Sequence, residues 1–113
     1  MLTIYHNPRC SKSRQTLELI KQNSTKELAI VEYLKQPLTR IEIEQLLSLL
    51  SCKPTEMMRV KEPEFKEQSL ANATDEQLID AMVTTPKLIE RPIVSDGNRA
   101  IIGRPPENVL TLC

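Results

Sequence analysis

The chain has 113 residues, of which 40% are hydrophobic and 27% are charged, a balance typical of a globular protein. A chain of this length can bury a core without metal or disulfide support, so we expect one domain over residues 1–113. Fifteen basic and fifteen acidic side chains cancel, which argues against binding to nucleic acid or to an anionic membrane through a global field. No apolar run approaches the roughly 20 residues that cross a bilayer, so we expect a cytoplasmic protein.

The three cysteines, Cys10, Cys52 and Cys113, are widely spaced along the chain. They form neither a C-x-x-C pair nor a Cys/His cluster, which argues against a disulfide framework and a structural zinc site. We therefore expect no bound metal or cofactor. One reactive thiol beside two bystander thiols would suit a reducing compartment.

The first half of the chain predicts alternating strands and helices, the rhythm of an α/β fold. The run Leu2–Tyr5 alternates and is rich in strand-forming residues, and Ser13–Asn23 carries apolar residues at helical spacing. Leu28–Leu34 predicts a second strand. Thr39 and Glu42 form a capping-box pattern that opens a helix extending to Leu50.

The second half predicts a helical insert, then a hairpin and a last helix. Prolines punctuate residues 54–73, which favours short helices and loops. A capping pattern at Thr74 opens a further helix that ends before Pro86. Asp96-Gly97-Asn98 is typical of a tight turn, because glycine supplies the positive φ that such turns need. The flanking strands contain Ile93-Val94 and Ala100-Ile101-Ile102, and Pro105-Pro106 opens the last helix.

The predicted order is βαβ, helical insert, ββα, and it resembles a thioredoxin-like domain with a mixed sheet flanked by helices. In that fold the nucleophile lies at the first turn from strand to helix, and a cis-proline before the third strand faces it. Pro92 occupies this place, so the resemblance implies a cis Arg91–Pro92 bond. The alternative is a trans proline on an edge strand.

Cys10 lies where the first strand gives way to the first helix, in the run His6-Asn7-Pro8-Arg9-Cys10. A thiol at this junction faces the free amides and the positive dipole end of the helix, which lower its pKa and favour the thiolate. The position therefore indicates a nucleophile. The alternative is a small buried hydrophobic residue, a common role of free cysteine.

Two neighbours of Cys10 are candidates for supporting roles. Ser13 stands three residues after it, where a dithiol oxidoreductase would carry its second cysteine. Since no internal disulfide can form there, an external thiol must resolve any adduct on Cys10. Ser13 could donate a hydrogen bond to the thiolate or satisfy a helix amide. His6 could influence the thiolate or be structural.

Three arginines, Arg59, Arg91 and Arg104, fall at element ends or loops distant in sequence. A guanidinium stays charged and presents a planar set of donors that suits an oxyanion. Converging on a cysteine, such groups would bind an anion and hold the thiol ionised. The alternative for each is a solvated surface charge. Two further candidates for anion binding are Arg14, in the first turn of the helix, and Arg9, next to the cysteine.

Taken together, several motifs resemble the glutaredoxin-coupled arsenate reductase family over essentially all 113 residues. The resemblance implies that Cys10 attacks arsenate, glutathione displaces the adduct, and glutaredoxin reduces the resulting mixed disulfide as arsenite leaves. It also implies that the three arginines clamp the oxyanion. The motifs are His6-Asn7-Pro8-x-Cys10-x-x-Ser13-Arg14, the Arg59 region, Leu88-Ile89-x-Arg91-Pro92-Ile93-Val94 and Gly103-Arg104-Pro105.

Two other functions remain open at the level of sequence. Ser11-Lys12 follow the cysteine, where arsenate reductases of this family usually have glycine and threonine. This difference favours a related glutathione-dependent thiol reductase that acts on another substrate. A third hypothesis is a redox-type transcriptional regulator that binds RNA polymerase, although Ser13 removes the C-x-x-C switch common in those proteins.

Overall fold

The computed structural model describes residues 1–113 and contains four strands and four α-helices. The strands are β1 (Leu2–Tyr5), β2 (Leu28–Val31), β3 (Ile93–Ser95) and β4 (Ala100–Ile102). The α-helices are α1 (Ser11–Asn23), α2 (Arg40–Leu50), α3 (Pro63–Glu67) and α4 (Asp75–Thr84). Short 3-10 helices cover Pro54–Met57, Leu70–Asn72, Pro86–Leu88 and Pro106–Leu112.

The chain divides into two compact units, and the sheet lies in the first of them. The first unit comprises residues 1–36 and 91–113, and the second comprises residues 37–90. The strand order is β2-β1-β3-β4, with β1 parallel to β2 and antiparallel to β3, and β3 antiparallel to β4. This mixed sheet with flanking helices confirms the predicted α/β class.

Strand β1 is the centre of the first unit's core. Leu2 and Ile4 are fully buried on alternate positions, as the period of a strand requires. They pack with Ile20 of α1, with Val94 of β3, and with Val109 and Leu112 of the last 3-10 helix. Burial of side chains of this size stabilises by about 1.5–3 kcal/mol each, so the core fixes where β1 ends and the next turn begins.

The second unit is built on α2 and α4, and both helices start as the sequence predicts. The Thr39 hydroxyl accepts from the Glu42 amide, and the Glu42 carboxylate accepts from the Thr39 amide; Thr74 and Gln77 repeat the arrangement. Arg40 of α2 donates hydrogen bonds to two carboxylates of α4. Buried side chains line both helices, among them Ile43, Leu46, Leu78 and Met82.

Two boundaries and one helix type differ from the sequence-based expectation. Strand β2 ends at Val31 rather than Leu34, because the amides of Lys35 and Gln36 both bond to the Glu32 carbonyl and close a turn. Helix α1 begins at Ser11, two residues earlier than predicted. The last helix is a 3-10 helix. None of the helices is both long and apolar enough to span a bilayer.

The peptide bond between Arg91 and Pro92 is cis, as predicted, and the bond between Arg104 and Pro105 is also cis. Gly103 packs closely against Pro92 and against Thr16 of α1. A Cβ there would stand 2.8 Å from the Thr16 hydroxyl and 2.9 Å from Cγ of Pro92. Only glycine allows this approach without displacing Thr16 or Pro92.

We expect Gly103→Ala to lower the free energy of unfolding by about 1–3 kcal/mol, because the added methyl overpacks the contact with Thr16 and Pro92. Urea denaturation of the whole chain measures the change. The matched control is Gln45→Ala at an exposed position of α2, for which we expect a change within about 0.5 kcal/mol. Equal stability of Gly103→Ala and the wild type would contradict the packing described here.

Candidate active site

Strand pairing brings three segments of the first unit to one edge of the sheet. Tyr5 at the end of β1 pairs with Val31 at the end of β2 and with Ile93 at the start of β3. The turn of residues 6–10, the turn of residues 32–36 and the Arg91–Pro92 segment therefore leave the sheet together. The predicted site residues His6, Cys10, Ser13 and Arg14 follow β1 at this edge of the sheet. Arg91 and Pro92, which precede β3, lie at the same edge.

The turn from β1 to α1 is held by its own hydrogen bonds. The Cys10 amide donates to the Asn7 carbonyl at 3.0 Å, and the Arg9 amide donates to the Asn7 side-chain oxygen at 3.0 Å. The Arg14 guanidinium reaches back to the Pro8 carbonyl at 2.9 Å. These bonds place Cys10 at the N-cap of α1 in an extended conformation, and they hold the Arg14 guanidinium against the turn.

The sulfur of Cys10 is half-buried and surrounded by donors. Burial alone would raise the pKa of the thiol. Hydrogen bonds from the backbone amides of Ser13 and Lys12 and from the Arg91 guanidinium act in the opposite direction, and the pKa of Cys10 is lowered. Because the free amides lie at the positive end of the helix dipole, they favour the thiolate over the thiol. The arrangement can supply a sulfur nucleophile.

Arg91 is the cation that contacts this sulfur. Burial would lower the pKa of Arg91, but its hydrogen bond to Cys10 and its interactions with Tyr33 raise it. The guanidinium is thus firmly charged beside the sulfur. Its Nε atom is buried without a hydrogen-bond partner, an unsatisfied donor of the kind that native structures seldom leave outside functional sites.

Ser13 acts on the sulfur through its backbone, whereas its hydroxyl has other partners. The fully buried hydroxyl lies 2.6 Å from Nδ1 of His6 and accepts from the Asn7 amide at 3.0 Å. Burial is the main cause that lowers the pKa of His6, and Arg14 and Lys21 add to it against the opposing effect of Glu32. A neutral His6 therefore ties the turn to α1 through Ser13.

The other two arginines have different surroundings. Arg104 is exposed to solvent. Arg59 belongs to the second unit, where its Nε contacts Glu62 at 2.9 Å and its Nη1 contacts Glu90 at 3.6 Å. The structure thus brings Arg91 to the sulfur and leaves Arg104 in solvent. Participation of Arg59 and Arg104 in an oxyanion clamp stays a prediction.

The remaining cysteines lack the donors that surround Cys10. Burial raises the pKa of Cys52, with Glu56 adding to the effect, and burial also raises the pKa of Cys113 against the opposing charge of Lys26. Cys113 is half-buried, and its thiol donates to the Val109 carbonyl at 3.7 Å, which anchors the side chain. No cluster of three or more His, Cys, Asp or Glu residues is arranged to hold a metal ion.

Sequence reasoning missed Tyr33, which is fully buried next to Arg91. The sequence assigns Tyr33 to a strand, and only the early end of β2 turns it toward the site. No local pattern could have signalled this, since the contact joins residues far apart in the chain. Sequence reasoning also missed the Lys12 amide as a donor to the Cys10 sulfur. The sequence predicts that α1 begins at Ser13, whereas it begins at Ser11.

Comparison with known proteins supports one family assignment. A sequence model of the ArsC family matches residues 5–112. The chain is 50% identical to YfgD, an uncharacterized protein of Escherichia coli strain K12, over 96% of this chain and 93% of the relative. It is 41% identical to an arsenate reductase of the same strain, over 98% of this chain and 79% of the relative.

A solved structure agrees with the sequence matches. The arsenate reductase from Vibrio cholerae superposes with a TM-score of 0.94 at 41% identity, over 99% of this chain and 97% of that chain. The match confirms the thioredoxin-like fold predicted from the order of elements. With its sequence and its fold in agreement, the chain belongs to the ArsC family.

Proposed function

We propose that the protein reduces arsenate to arsenite, with Cys10 as the nucleophile and with glutathione and glutaredoxin as the reducing system. The observation that supports this most directly is the Cys10 sulfur, which receives two helix amides and the Arg91 guanidinium. The names of the relatives at about 40% identity add support, since several are arsenate reductases.

In the first step the Cys10 thiolate attacks the arsenic atom. Arg91 binds an arsenate oxygen, and Arg59 and Arg104 are proposed to bind others; planar guanidinium groups match the oxygens of a tetrahedral oxyanion. A sulfur–arsenic bond forms, one arsenic–oxygen bond breaks, and the departing oxygen leaves as water after protonation. The amides that hold the thiolate remain as donors for the charge that develops at this position.

In the second step the thiolate of glutathione attacks the Cys10 sulfur. A sulfur–sulfur bond forms, the sulfur–arsenic bond breaks, and its electron pair reduces arsenic from the pentavalent to the trivalent state. One Cys10 thiol, one glutathione and one arsenic acid thus yield the Cys10–glutathione mixed disulfide, one arsenous acid and one water. The two thiols supply the two electrons.

In the third step glutaredoxin reduces the mixed disulfide and regenerates the Cys10 thiol. Ser13 offers no resolving thiol, and burial raises the pKa of both Cys52 and Cys113, which makes their thiols weak resolving groups. An external thiol partner is therefore part of the proposal. The glutathione pool of the cytoplasm would supply it, so we propose this location.

A second candidate is a glutathione-dependent thiol reductase that acts on another substrate. The same nucleophile could attack a glutathione mixed disulfide, and the relative at 50% identity is uncharacterized. Exposed Lys12 adds a cation in the first turn of α1, which suits an anionic substrate of either kind. Good turnover of a glutathione mixed disulfide with no arsenate turnover would favour this candidate.

We expect Cys10→Ser to lower arsenate turnover by at least about a thousandfold, because the reaction loses its nucleophile. The assay follows arsenate-dependent NADPH oxidation in the presence of glutathione, glutaredoxin and glutathione reductase. Cys52→Ser and Cys113→Ser are matched controls and should stay within about twofold of the wild type. Turnover by Cys10→Ser at the wild-type rate would refute the assignment.

We expect Arg91→Leu to lower kcat/KM for arsenate by about 100-fold, because a donor to the thiolate and to the oxyanion is removed. Loss of this cation should raise the pKa of Cys10, so the acid limb of the pH–rate profile should move to higher pH. Arg99→Leu is the control, since Arg99 lies beyond the other end of β3 and donates to the Thr111 carbonyl. An unmoved acid limb in Arg91→Leu would contradict this role.

A further inference from the structure

We infer that Tyr33 is a positioning residue, whose buried hydroxyl holds the Arg91 guanidinium against the Cys10 sulfur. All three residues belong to the first unit. The inference rests on the part of the proposed function that makes Cys10 the nucleophile. It adds a third member to the contact between sulfur and cation, from a segment in which the sequence predicts no site residue.

The turn after β2 directs Tyr33 into the molecule. The amides of Lys35 and Gln36 both donate to the Glu32 carbonyl at 2.9 Å, which closes the turn directly after the strand. Tyr33 is fully buried, whereas residues 34–37 are exposed. The hydrogen bonds of the turn therefore fix where the buried ring lies.

The pairing of the strands brings Tyr33 and Arg91 to the same edge of the sheet. Tyr5 is opposite both Val31 and Ile93. Tyr33 lies two residues after Val31, and Arg91 lies two residues before Ile93. The turn to α1 follows Tyr5, so the nucleophile, the cation and the hydroxyl come from three segments that leave the sheet together.

The contact between the two side chains joins a donor to an acceptor. Tyr33 interacts with the Arg91 guanidinium, which in turn hydrogen-bonds to the Cys10 sulfur. A guanidinium has only donors, so the phenolic oxygen is the acceptor. The Tyr33 hydroxyl is shielded from solvent, and a buried hydroxyl loses its hydrogen bonds to water. Packing alone would favour phenylalanine here, and the interaction with Arg91 accounts for the oxygen.

Two contacts are needed because an arginine side chain is long and flexible. Ordering such a side chain costs conformational entropy, and a contact with the sulfur alone leaves the guanidinium plane free to turn. The Nε atom of Arg91 is buried without a hydrogen-bond partner, so this atom does not fix the orientation. The sulfur and the phenolic oxygen together do so.

The contact with Tyr33 matters most while the sulfur is covalently bonded. In the thiolate state, charge attraction holds Arg91 near Cys10. Once the sulfur forms a bond to arsenic or to a second sulfur, it loses its negative charge and this attraction falls. The phenolic oxygen keeps its lone pairs throughout, so it retains the guanidinium for the next step. Because the hydroxyl is shielded from solvent, it acts through Arg91 and not on the substrate.

The first test measures how fast iodoacetamide alkylates Cys10 in the full chain, at a pH where the rate follows the thiolate fraction. All variants also carry Cys52→Ser and Cys113→Ser, so that one thiol reacts. Tyr33→Phe keeps the ring and removes the oxygen. We expect it to slow alkylation about three- to tenfold, because a less ordered Arg91 stabilises the thiolate less.

Ser95→Ala is the matched control for this test. It removes a buried hydroxyl at the other end of β3, where Ser95 pairs with Thr3, and it should leave the alkylation rate within about 1.5-fold of the wild type. An unchanged or faster rate in Tyr33→Phe would overturn the inference.

A double-mutant cycle separates positioning from a merely structural effect. If Tyr33 acts through Arg91, Tyr33→Phe should slow alkylation in the wild-type background and have no further effect in the Arg91→Leu background. Equal slowing in both backgrounds would overturn the inference, because it would show that the hydroxyl supports the turn rather than the cation.

A kinetic test then links Tyr33 to the reaction. In the coupled assay, Tyr33→Phe should lower kcat/KM for arsenate about three- to tenfold and move the acid limb of the pH–rate profile to higher pH, as Arg91→Leu does to a larger extent. An unmoved acid limb would overturn the inference. The alkylation tests need no arsenate, so a wild type without arsenate turnover but with the cycle intact would refute the proposed function and retain Tyr33 as a positioning residue.

Discussion

The contact between the Cys10 sulfur and its donors is the interaction on which the site depends. Burial of a sulfur opposes its ionisation, and only the two helix amides and the Arg91 guanidinium reverse that effect. The amides are available because α1 begins directly after Cys10, where the first helix N–H groups have no partner within the helix. A shift of the helix start by one residue would aim different amides at the sulfur.

The sheet explains why Arg91 and Cys10 meet. Strand β1 pairs with β2 on one side and β3 on the other, and Tyr5 is opposite both Val31 and Ile93. The turns that follow β1 and β2 and the segment that precedes β3 therefore share one edge. Catalytic and binding groups are often placed on loops at the end of a rigid sheet in this way.

Local rules explain which parts of this structure could be predicted from the sequence. The capping boxes at Thr39 and Thr74, the turn at Gly97 and the reactive position of Cys10 each depend on residues a few places apart. The cis bond before Pro92 was predicted from resemblance to a fold. The burial of Tyr33 beside Arg91 and the pairing of Arg59 with Glu62 and Glu90 depend on tertiary contacts, which no local pattern specifies.

Titration of the Cys10 thiolate in the wild-type chain tests this account most directly. Ultraviolet absorbance against pH, with the Cys10→Ser variant as the blank, measures the pKa of this one sulfur. We expect a pKa below that of an ordinary thiol, and we expect sulfate to raise it, because an unreactive oxyanion at Arg91 brings negative charge next to the thiolate. An ordinary thiol pKa that sulfate does not change would contradict the claim that cation and amides hold Cys10 as a nucleophile.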